Sequence, residues 1–405
     1  MQVSVTHPVD ELTWCRSIVP ADPGDPECGV YRLELVNGVR AWAVAGYAHA
    51  RAALADPRLS KSAAGLTRIM GRQLRALGVD PELSGMYSPH MLFSDGAEHG
   101  RLRRLVGAGF TRARVEALRP RAQELTARLV DGLPEDEAVD LVDEVAFPLP
   151  LNIICELMGV PAADHGLLRG WTADLMDDDH ARNIPASHRM REYFSELFVR
   201  RRADPGDDLL SALLSPGAAE RLTPEELMGT VFLLFVAGHE TTTNLIGNAV
   251  RWLVADRERW RALGEDPSYI PAALEEVLRF DCPVRMSTHR FTAEPVTYGR
   301  VTIPADEVVM VWIHAANRDA ARYADAGGFD PERPDLGTHL GFGHGPHYCL
   351  GAPLGRMEAF TALAHLTRHY PDARLATPAA DLPGQRSAIM NGFTHLPVVL
   401  GPRRG

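Results

Sequence analysis

A long apolar segment with a polar interruption constrains the fold of this chain more than any other stretch. It opens with Thr223-Pro224-Glu225-Glu226, which provides an N-cap threonine, a proline at the first helical position and a glutamate that closes a capping box. The pattern continues to about Val254, and its first part is apolar nearly all round. Such a helix lies in a protein interior, and its apolar run is too short to span a membrane. We therefore predict a long central helix.

The interruption in this helix is Ala237-Gly238-His239-Glu240-Thr241-Thr242-Thr243-Asn244. Ala237, Glu240 and Thr241 share one face because they are spaced three and four positions apart. Threonine hydroxyls can bond back to the preceding helical turn. Two interpretations stay open from the residues alone: a hydrogen-bonded cluster of core threonines, or a carboxylate and a hydroxyl that deliver protons.

A glycine-rich loop ends in a single cysteine and leads into a helix-compatible sequence. The loop reads Gly341-Phe342-Gly343-His344-Gly345-Pro346-His347-Tyr348-Cys349-Leu350-Gly351, and the helical pattern begins at Ala352. A cysteine at the start of a helix meets unpaired N–H groups and a positive dipole end, which favour the thiolate. Glycines let the backbone approach something flat, and haem iron accepts a thiolate as axial ligand.

Three other interpretations of this loop compete with haem ligation. The glycine pattern could bind a dinucleotide, but the preceding strand and the later acidic residue are missing. His339, His344, His347 and Cys349 could bind zinc, although their spacing does not match the paired short-spacer pattern. Cys349 could also be a buried structural cysteine in a turn.

Taken together, these segments resemble the cytochrome P450 family, which implies a mainly α fold with small β-sheets and the long central helix over haem b. The matching positions in the loop and the following helix are Phe342, Gly343, Gly345, His347, Cys349, Leu350, Gly351 and Glu358-Ala359. The resemblance implies that Cys349 is the metal ligand and that Phe342, Gly343, His347 and Gly351 contact the cofactor. Gly355 departs from the alanine usual in bacterial members.

The same resemblance assigns functions to the long helix. It makes Glu240 and Thr241 the acid–alcohol pair that delivers protons to activated dioxygen, and Ala237 leaves room over the haem. The implied activity is a monooxygenase that hydroxylates or epoxidises a small organic substrate in bacterial secondary metabolism. Oxidative coupling or desaturation without oxygen insertion is the alternative, and a non-enzymatic haem or zinc protein is the third hypothesis.

Further matches concern structural and propionate-binding residues. Glu276 and Arg279 form an E-x-x-R pattern, and the resemblance adds Arg333 to the same buried structural network. Cationic or donor side chains should receive the haem propionates, and the family positions are occupied by His99, Arg103, Arg290 and His347. Arg101 and Arg104, in contrast, are expected on a solvated helix face.

The substrate pocket falls on segments of mixed composition. A short acidic run, Asp177–Asp179, is either a solvated loop or an entrance for a cationic substrate such as an amino sugar. The residues that we predict to line the pocket are Met86, Tyr87, Met91, Trp171, Met176, Leu233, Val236, Val284, Met286, Met390 and Phe393.

Composition limits partners and location. A net charge of −11 argues against general nucleic-acid binding. The arginine-rich stretch from Arg101 to Arg121 is either a set of solvated faces or, by the resemblance, the docking region on the cysteine side for a ferredoxin or flavodoxin-type electron donor. Five widely spaced cysteines do not indicate a disulfide framework. With no recognisable signal peptide or membrane anchor, we expect a soluble, cytoplasmic protein with a single domain over residues 1–405.

Local patterns predict the remaining elements. Residues 31–44 alternate around Asn37-Gly38, a strong hairpin signal, and residues 294–311 read as strands. The further helices are predicted at residues 115–131, 143–158, 162–176, 188–202, 269–280 and 352–369.

Overall fold

The computed structural model describes residues 15–22, 25, 28–175, 180–215, 217 and 222–404, and most of them are helical. The α-helices are α1 (Tyr47–Ala55), α2 (Ala63–Ala76), α3 (Gly96–Gly107), α4 (Arg112–Asp131), α5 (Pro148–Leu157), α6 (His165–Leu175), α7 (His180–Ala203), α8 (Leu209–Leu214), α9 (Pro224–Leu253), α10 (Arg257–Glu265), α11 (Ile270–Phe280), α12 (Ile313–Ala316) and α13 (Ala352–His369). In this part of the chain, no helix is both long and apolar enough to cross a bilayer.

The strands form small sheets, as predicted. They are β1 (Cys15–Pro20), β2 (Val30–Leu35), β3 (Arg40–Val44), β4 (Leu59–Ser60), β5 (Ala138–Asp140), β6 (Arg290–Thr292), β7 (Val296–Tyr298), β8 (Val301–Ile303), β9 (Val308–Val311), β10 (Arg374–Leu375) and β11 (Pro397–Val399). The largest sheet has the order β1-β2-β3-β9-β6-β4, and the others are β10-β11-β5 and β7-β8. The predicted hairpin is confirmed: β2 pairs with β3 in antiparallel fashion, with Val30 opposite Val44.

The central helix α9 begins and ends where its sequence indicates. The Glu226 N–H donates to the Thr223 hydroxyl at 3.1 Å, and the Thr223 N–H donates to the Glu226 carboxylate at 2.9 Å, which completes the capping box. The helix runs without a break to Leu253 and is buried over most of its length. It packs against α5, α11 and α13, and it therefore forms the core around which the other helices are arranged.

Two local predictions were only partly confirmed. The helix expected over residues 143–158 begins as a π-turn, Val142–Ala146, and continues as α5 from Pro148 to Leu157. Pro148 has no N–H and its ring crowds the preceding turn, so the chain widens and the Phe147 N–H donates to Val142 O instead. Arg101 lies on a face that is only partly solvated, because its side chain is 37% exposed while its guanidinium donates to the buried carboxylate of Glu226 and links α3 to α9.

Candidate active site

The cysteine loop is held by its backbone. Gly343 and Gly345 have φ angles of 76° and 73°, a region that side chains rarely adopt. The Cys349 N–H donates to Phe342 O at 2.9 Å and closes the loop. Gly351 is the N-cap of α13. The residues that the sequence predicts around the cofactor thus lie in one turn beside the sulfur, and the glycines are required by the shape of that turn.

The sulfur of Cys349 is enclosed by protein, yet its side chain keeps accessible surface, so it faces an internal opening. The N–H groups of Gly351 and Ala352 and the charges of Arg103 and Arg356 lower the pKa of the thiol, as its place before a helix predicts. Burial outweighs them, however, and the net pKa is raised. The helix start therefore does not produce a thiolate by itself; a bound metal ion would, since coordinating thiols lose their proton.

Accessible surface returns in the middle of α9, at Ala237, Gly238 and Thr241, although the preceding residues are buried. The Thr241 hydroxyl donates to Ala237 O at 3.1 Å, the back-bond that the sequence predicts. α9 packs against α13, which follows Cys349. The accessible patch of α9 and the accessible side chain of Cys349 thus belong to segments that α13 links, an arrangement that suits a flat group bound between them.

The carboxylate of Glu240 is held by two amide side chains that sequence analysis missed. Glu240 is buried, and its Oε1 accepts a hydrogen bond from Gln385 Nε2 at 2.9 Å. Gln385 Oε1 in turn accepts from Asn244 Nδ2 at 3.0 Å. Burial raises the pKa of Glu240, and the Gln385 bond partly offsets that effect. No local pattern marks Gln385, because it lies 145 positions from Glu240.

The residues predicted to receive propionates lie beside the cysteine loop. The rings of His99 and His347 have centroids 4.2 Å apart, and Arg103 donates to a backbone carbonyl of the loop at 2.7 Å. Arg290 is buried, its bonds to two backbone carbonyls are long, at 3.2 and 3.4 Å, and its Nε has no partner. Burial lowers the pKa of Arg290 to about 10. A buried cation with an unpaired donor suits an anionic group.

Glu276, Arg279 and Arg333 form a buried network. Arg279 donates to both carboxylate oxygens of Glu276, at 2.8 and 2.6 Å, and Arg333 Nε lies 3.0 Å from Glu276 Oε2. Arg279 also donates to three backbone carbonyls in residues 317–328, and the Asp330 N–H donates to Glu276. The network thereby fixes the irregular segment that precedes the cysteine loop, a structural function.

The structure does not support the zinc interpretation of the loop. His339 Nε2 lies 3.0 Å from Glu275 Oε2, and its Nδ1 accepts a loop N–H. Within the described ranges, the one cluster of three side chains with ligand atoms close enough to share an ion is Asp140, Asp143 and His395, far from the loop in sequence. Two of these pair with each other and the third pairs with an arginine.

The predicted pocket residues are dispersed over several regions. Met86 and Tyr87 line a cavity of about 160 Å³, where the Tyr87 hydroxyl lies 3.0 Å from His289 Nδ1. Met176 and Asp177–Asp179 lie outside the described residues. Leu233 and Val236 are buried on α9. Isolated β-bridges pair Val284 with Met390 and Met286 with Trp312. Met91 and Trp171 pack on the hydrophobic cluster around α7 and α9, and Phe393 packs on the hydrophobic cluster around α4 and α13.

The departure at Gly355 has a structural reason. A Cβ at this position would lie 3.2 Å from Thr242 Oγ1, tighter than ordinary contact, so the glycine lets α13 approach α9. One turn further along α13, Glu358 is fully buried. Burial raises the pKa of Glu358 to about 8, and the hydroxyl of Thr242 opposes this shift. Burial therefore favours the neutral form of Glu358 near neutral pH.

Glu358 should make stability fall as the pH rises. An unfolded chain releases this proton near pH 4.3, whereas the folded protein keeps it to about pH 8. The free energy of unfolding should therefore fall by roughly 3–5 kcal/mol as the pH rises between these two values, because ionisation of Glu358 then favours the unfolded chain. We expect Glu358→Gln to flatten this slope in urea unfolding at pH 5 and pH 8. The control Glu265→Gln changes an exposed glutamate and should keep the pH dependence of the unfolding free energy. Equal slopes in both variants would contradict a raised pKa of Glu358.

Comparisons with known proteins agree on one family. A family model described as Cytochrome P450 matches residues 175–371. Cytochrome P450 107B1 of Saccharopolyspora erythraea is 45% identical over 371 residues, which cover 91% of each chain. The cytochrome P450 monooxygenase PikC of Streptomyces venezuelae is 40% identical, with 91% of this chain and 87% of PikC covered. The tirandamycin C-bound structure of the P450 monooxygenase TamI has a TM-score of 0.84 at 40% identity, with 90% of both chains covered.

Proposed function

The chain belongs to the cytochrome P450 family, and on that premise we propose that Cys349 ligates the iron of haem b in this bacterial monooxygenase. The reaction takes one O2, two electrons and two protons, and it gives one hydroxylated or epoxidised product and one water. The single observation that carries the assignment is the accessible side chain of Cys349 at the end of a loop whose shape requires glycine.

The donor set of the site fits this cofactor. The Cys349 thiol, whose net pKa is raised, would ionise on binding an iron ion. The open patch on α9 leaves space for a flat macrocycle. The unpaired Nε of Arg290 can donate to a propionate. His99, whose Nε2 has no partner, and His347 complete the propionate side. When bound, the haem supplies the activation of dioxygen with electrons from an external donor.

In the proposed reaction, the protein delivers two protons to a site that is lined by apolar side chains. The six α9 side chains at residues 231–236 are apolar and buried, so they exclude bulk water. Glu240 keeps its proton to a higher pH than usual because burial raises its pKa, and Thr241 offers a hydroxyl next to it on the open patch. We assign Glu240 as the proton source and the Thr241 hydroxyl as the group that passes the proton on.

Gln385 is the positioning residue for Glu240. Because Asn244 donates to Gln385 Oε1, the amide of Gln385 is turned so that its Nε2 faces the carboxylate. This bond stabilises the charged form of Glu240, so it limits how far burial can raise the pKa. The pKa of Glu240 therefore stays low enough for the carboxyl to release its proton and high enough for it to bind one.

Gln385→Leu should shift the pH dependence of coupling. The hydrogen bond from Gln385 stabilises the charged form of Glu240, so its loss should raise the pKa of Glu240 further. We expect the pH at which product formed per NADPH changes to move upward. Arg386→Leu removes an exposed neighbour in the same loop and should leave the profile in place. Matching shifts in both variants would assign the effect to the loop instead.

The substrate class follows from the relatives and from the cavity. TamI was solved with tirandamycin C bound, and the cavity beside Met86 and Tyr87 is mostly apolar with a few polar groups, among them His289 and Thr288. We therefore assign a small organic molecule of bacterial secondary metabolism, which the apolar walls hold and the polar groups orient.

The electron donor should dock on a smaller basic surface than the sequence indicated. Within the arginine-rich stretch, Arg101 binds Glu226, and Arg119 and Arg121 pair with glutamates. Arg104, Arg112 and Arg114 remain exposed, and none of them forms an ion pair with another described residue. We assign these three as the attraction for an acidic ferredoxin or flavodoxin-type donor on the cysteine side.

Oxygen labelling tests the proposed activity. The holoenzyme would be supplied with NADPH, a ferredoxin and its reductase under 18O2, with tirandamycin C as the first probe and then a panel of macrolactones and steroids. Mass spectrometry should detect a product that carries one 18O atom. Turnover that gives dehydrogenated or coupled products without 18O would instead establish the alternative reaction.

A further inference from the structure

We propose that Lys61 is a further cationic contact for a haem propionate, additional to Arg103 and Arg290. The inference rests on the haem binding proposed above. Lys61 is the only lysine in the sequence, among a total of 42 lysines and arginines. It lies between β4 and α2 and is 1% exposed. A chain that uses arginine for every other cation thus buries its single ammonium group.

The ammonium has few partners. Lys61 Nζ donates to Thr288 Oγ1 at 2.6 Å and lies 5.1 Å from the centroid of the Phe93 ring. An ammonium carries three donors, and a hydroxyl satisfies one of them. In the part of the chain that the structure describes, no carboxylate oxygen lies within 4.0 Å of this nitrogen. Buried ions are stable when they are paired, so a partner that is absent from the polypeptide is required.

The nearest carboxylate serves another purpose. Asp95 accepts hydrogen bonds from the backbone N–H of Lys61, at 3.0 and 3.1 Å, and from the Ser60 hydroxyl at 2.6 Å. It therefore holds the main chain at the end of β4 and does not bind the ammonium. Burial and the charge of Arg290 lower the pKa of Lys61 well below its usual range, and Asp95 offsets this only in part.

Lys61 belongs to the same cluster as the predicted propionate ligands. Its charge acts on His99 and His347, and it is itself repelled by Arg290. These residues come from the turn after β4, α3, the cysteine loop and β6, so only the tertiary structure brings them together. Arg103 on α3 also acts on His347, so the charges of three cations act on one histidine of the cysteine loop.

The charge of the cluster matches the cofactor. Lys61, Arg103 and Arg290 are three cations, and Asp95 is the carboxylate that acts on both Lys61 and Arg290. Asp56, the other carboxylate near Arg290, is neutralised by Arg58 at 2.8 Å. With neutral histidines, two positive charges remain without partners, and the two propionates of haem supply two negative ones. Without Lys61, one propionate would remain uncompensated at this low-dielectric site.

A single lysine permits a direct measurement on the holoenzyme. Protein labelled with [ε-15N]lysine gives one side-chain resonance, which would be recorded in the substrate-free, carbon-monoxide-bound ferrous state. We expect the shift of a charged ammonium at pH 7, maintained to at least pH 9, because a propionate restores the charge. A neutral amine at pH 7 would overturn the proposal, and this result does not depend on any variant being able to fold.

Two further measurements use Lys61→Met, which keeps the length of the side chain, with the exposed Arg72→Met on α2 as control. With propionates 13C-labelled through 5-aminolevulinate, one of the two carboxyl resonances should shift in Lys61→Met and neither in Arg72→Met. Haem transfer to apomyoglobin should be at least about tenfold faster in Lys61→Met. Unchanged resonances and transfer rate would refute the propionate contact.

The outcomes separate this inference from its alternatives. If Lys61 instead binds a substrate carboxylate, the substrate-free resonances and haem transfer stay unchanged, while carboxylate-bearing ligands bind more weakly to Lys61→Met. If the proposal on Lys61 fails alone, the reduced carbon-monoxide spectrum still has the thiolate band. If that band is missing from the wild-type protein, the haem-thiolate assignment itself fails.

Discussion

Replacing Cys349 by alanine is expected to abolish product formation and the red-shifted carbon-monoxide Soret band of the reduced protein. The thiolate is the ligand that pushes electron density toward the iron and favours O–O cleavage, and P450s are the standard example of this effect. No other described cysteine lies on the loop, since Cys15, Cys28, Cys155 and Cys282 are in other parts of the fold. The measurement is a difference spectrum of equal amounts of purified variant and wild type.

Cys282→Ala is the matched control for this prediction. Cys282 is fully buried, and burial raises the pKa of its thiol to about 12, so it should behave as a small apolar side chain. This variant should keep both the band and the activity. A red-shifted band that persists in Cys349→Ala would show that another residue ligates the iron. This result would refute the proposal that Cys349 is the haem ligand.

Thr241→Ala is expected to uncouple electron use from product formation. The proposed iron ligand is unchanged in this variant, so NADPH consumption should continue, but the last hydroxyl of the proposed proton path would be missing. General acid–base groups contribute about 10²–10⁴-fold to rates, so product per NADPH should fall at least about tenfold while hydrogen peroxide rises to balance the electrons. The assay measures NADPH, peroxide and product together.

Thr243 offers an unusually close control. Its hydroxyl donates to His239 O at 3.1 Å, the same back-bond and the same length as that from Thr241 to Ala237. Thr243 is buried, however, and lies off the open patch. Thr243→Ala and Thr242→Ala should therefore uncouple much less than Thr241→Ala. Full coupling in Thr241→Ala would mean that substrate hydroxyls or ordered water carry the protons.

The long helix and the cysteine loop could be predicted because their signals are local. The capping box at Thr223 and Glu226 is made within four residues, and the apolar pattern after it determines which helix is central. The positive φ angles of Gly343 and Gly345 are likewise a property of the loop itself. At Pro148 the local rule was applied incompletely, and the predicted helix has a π-turn before this proline.

Electrostatic partners could not be predicted in this way. Arg101 occurs in a sequence typical of a solvated face, and only the position of Glu226 at the start of α9 shows that it is paired. The helix-start argument for Cys349 was correct in direction but incomplete, because burial by the surrounding chain opposes it. The pocket residues remain a prediction, since they come from separate segments whose packing no local pattern encodes.

By itself, the sequence determined the central helix, the shape of the cysteine loop, the E-x-x-R pattern and the family, because each depends on residues a few positions apart. The tertiary structure decided which groups meet: Gln385 with Glu240 across 145 positions, Arg333 with Glu276, and Lys61 with Thr288. The sequence could have flagged Lys61 as its only lysine, but not its burial. Charge and proton affinity depend on the distance between groups and on exclusion of water, and folding alone sets both.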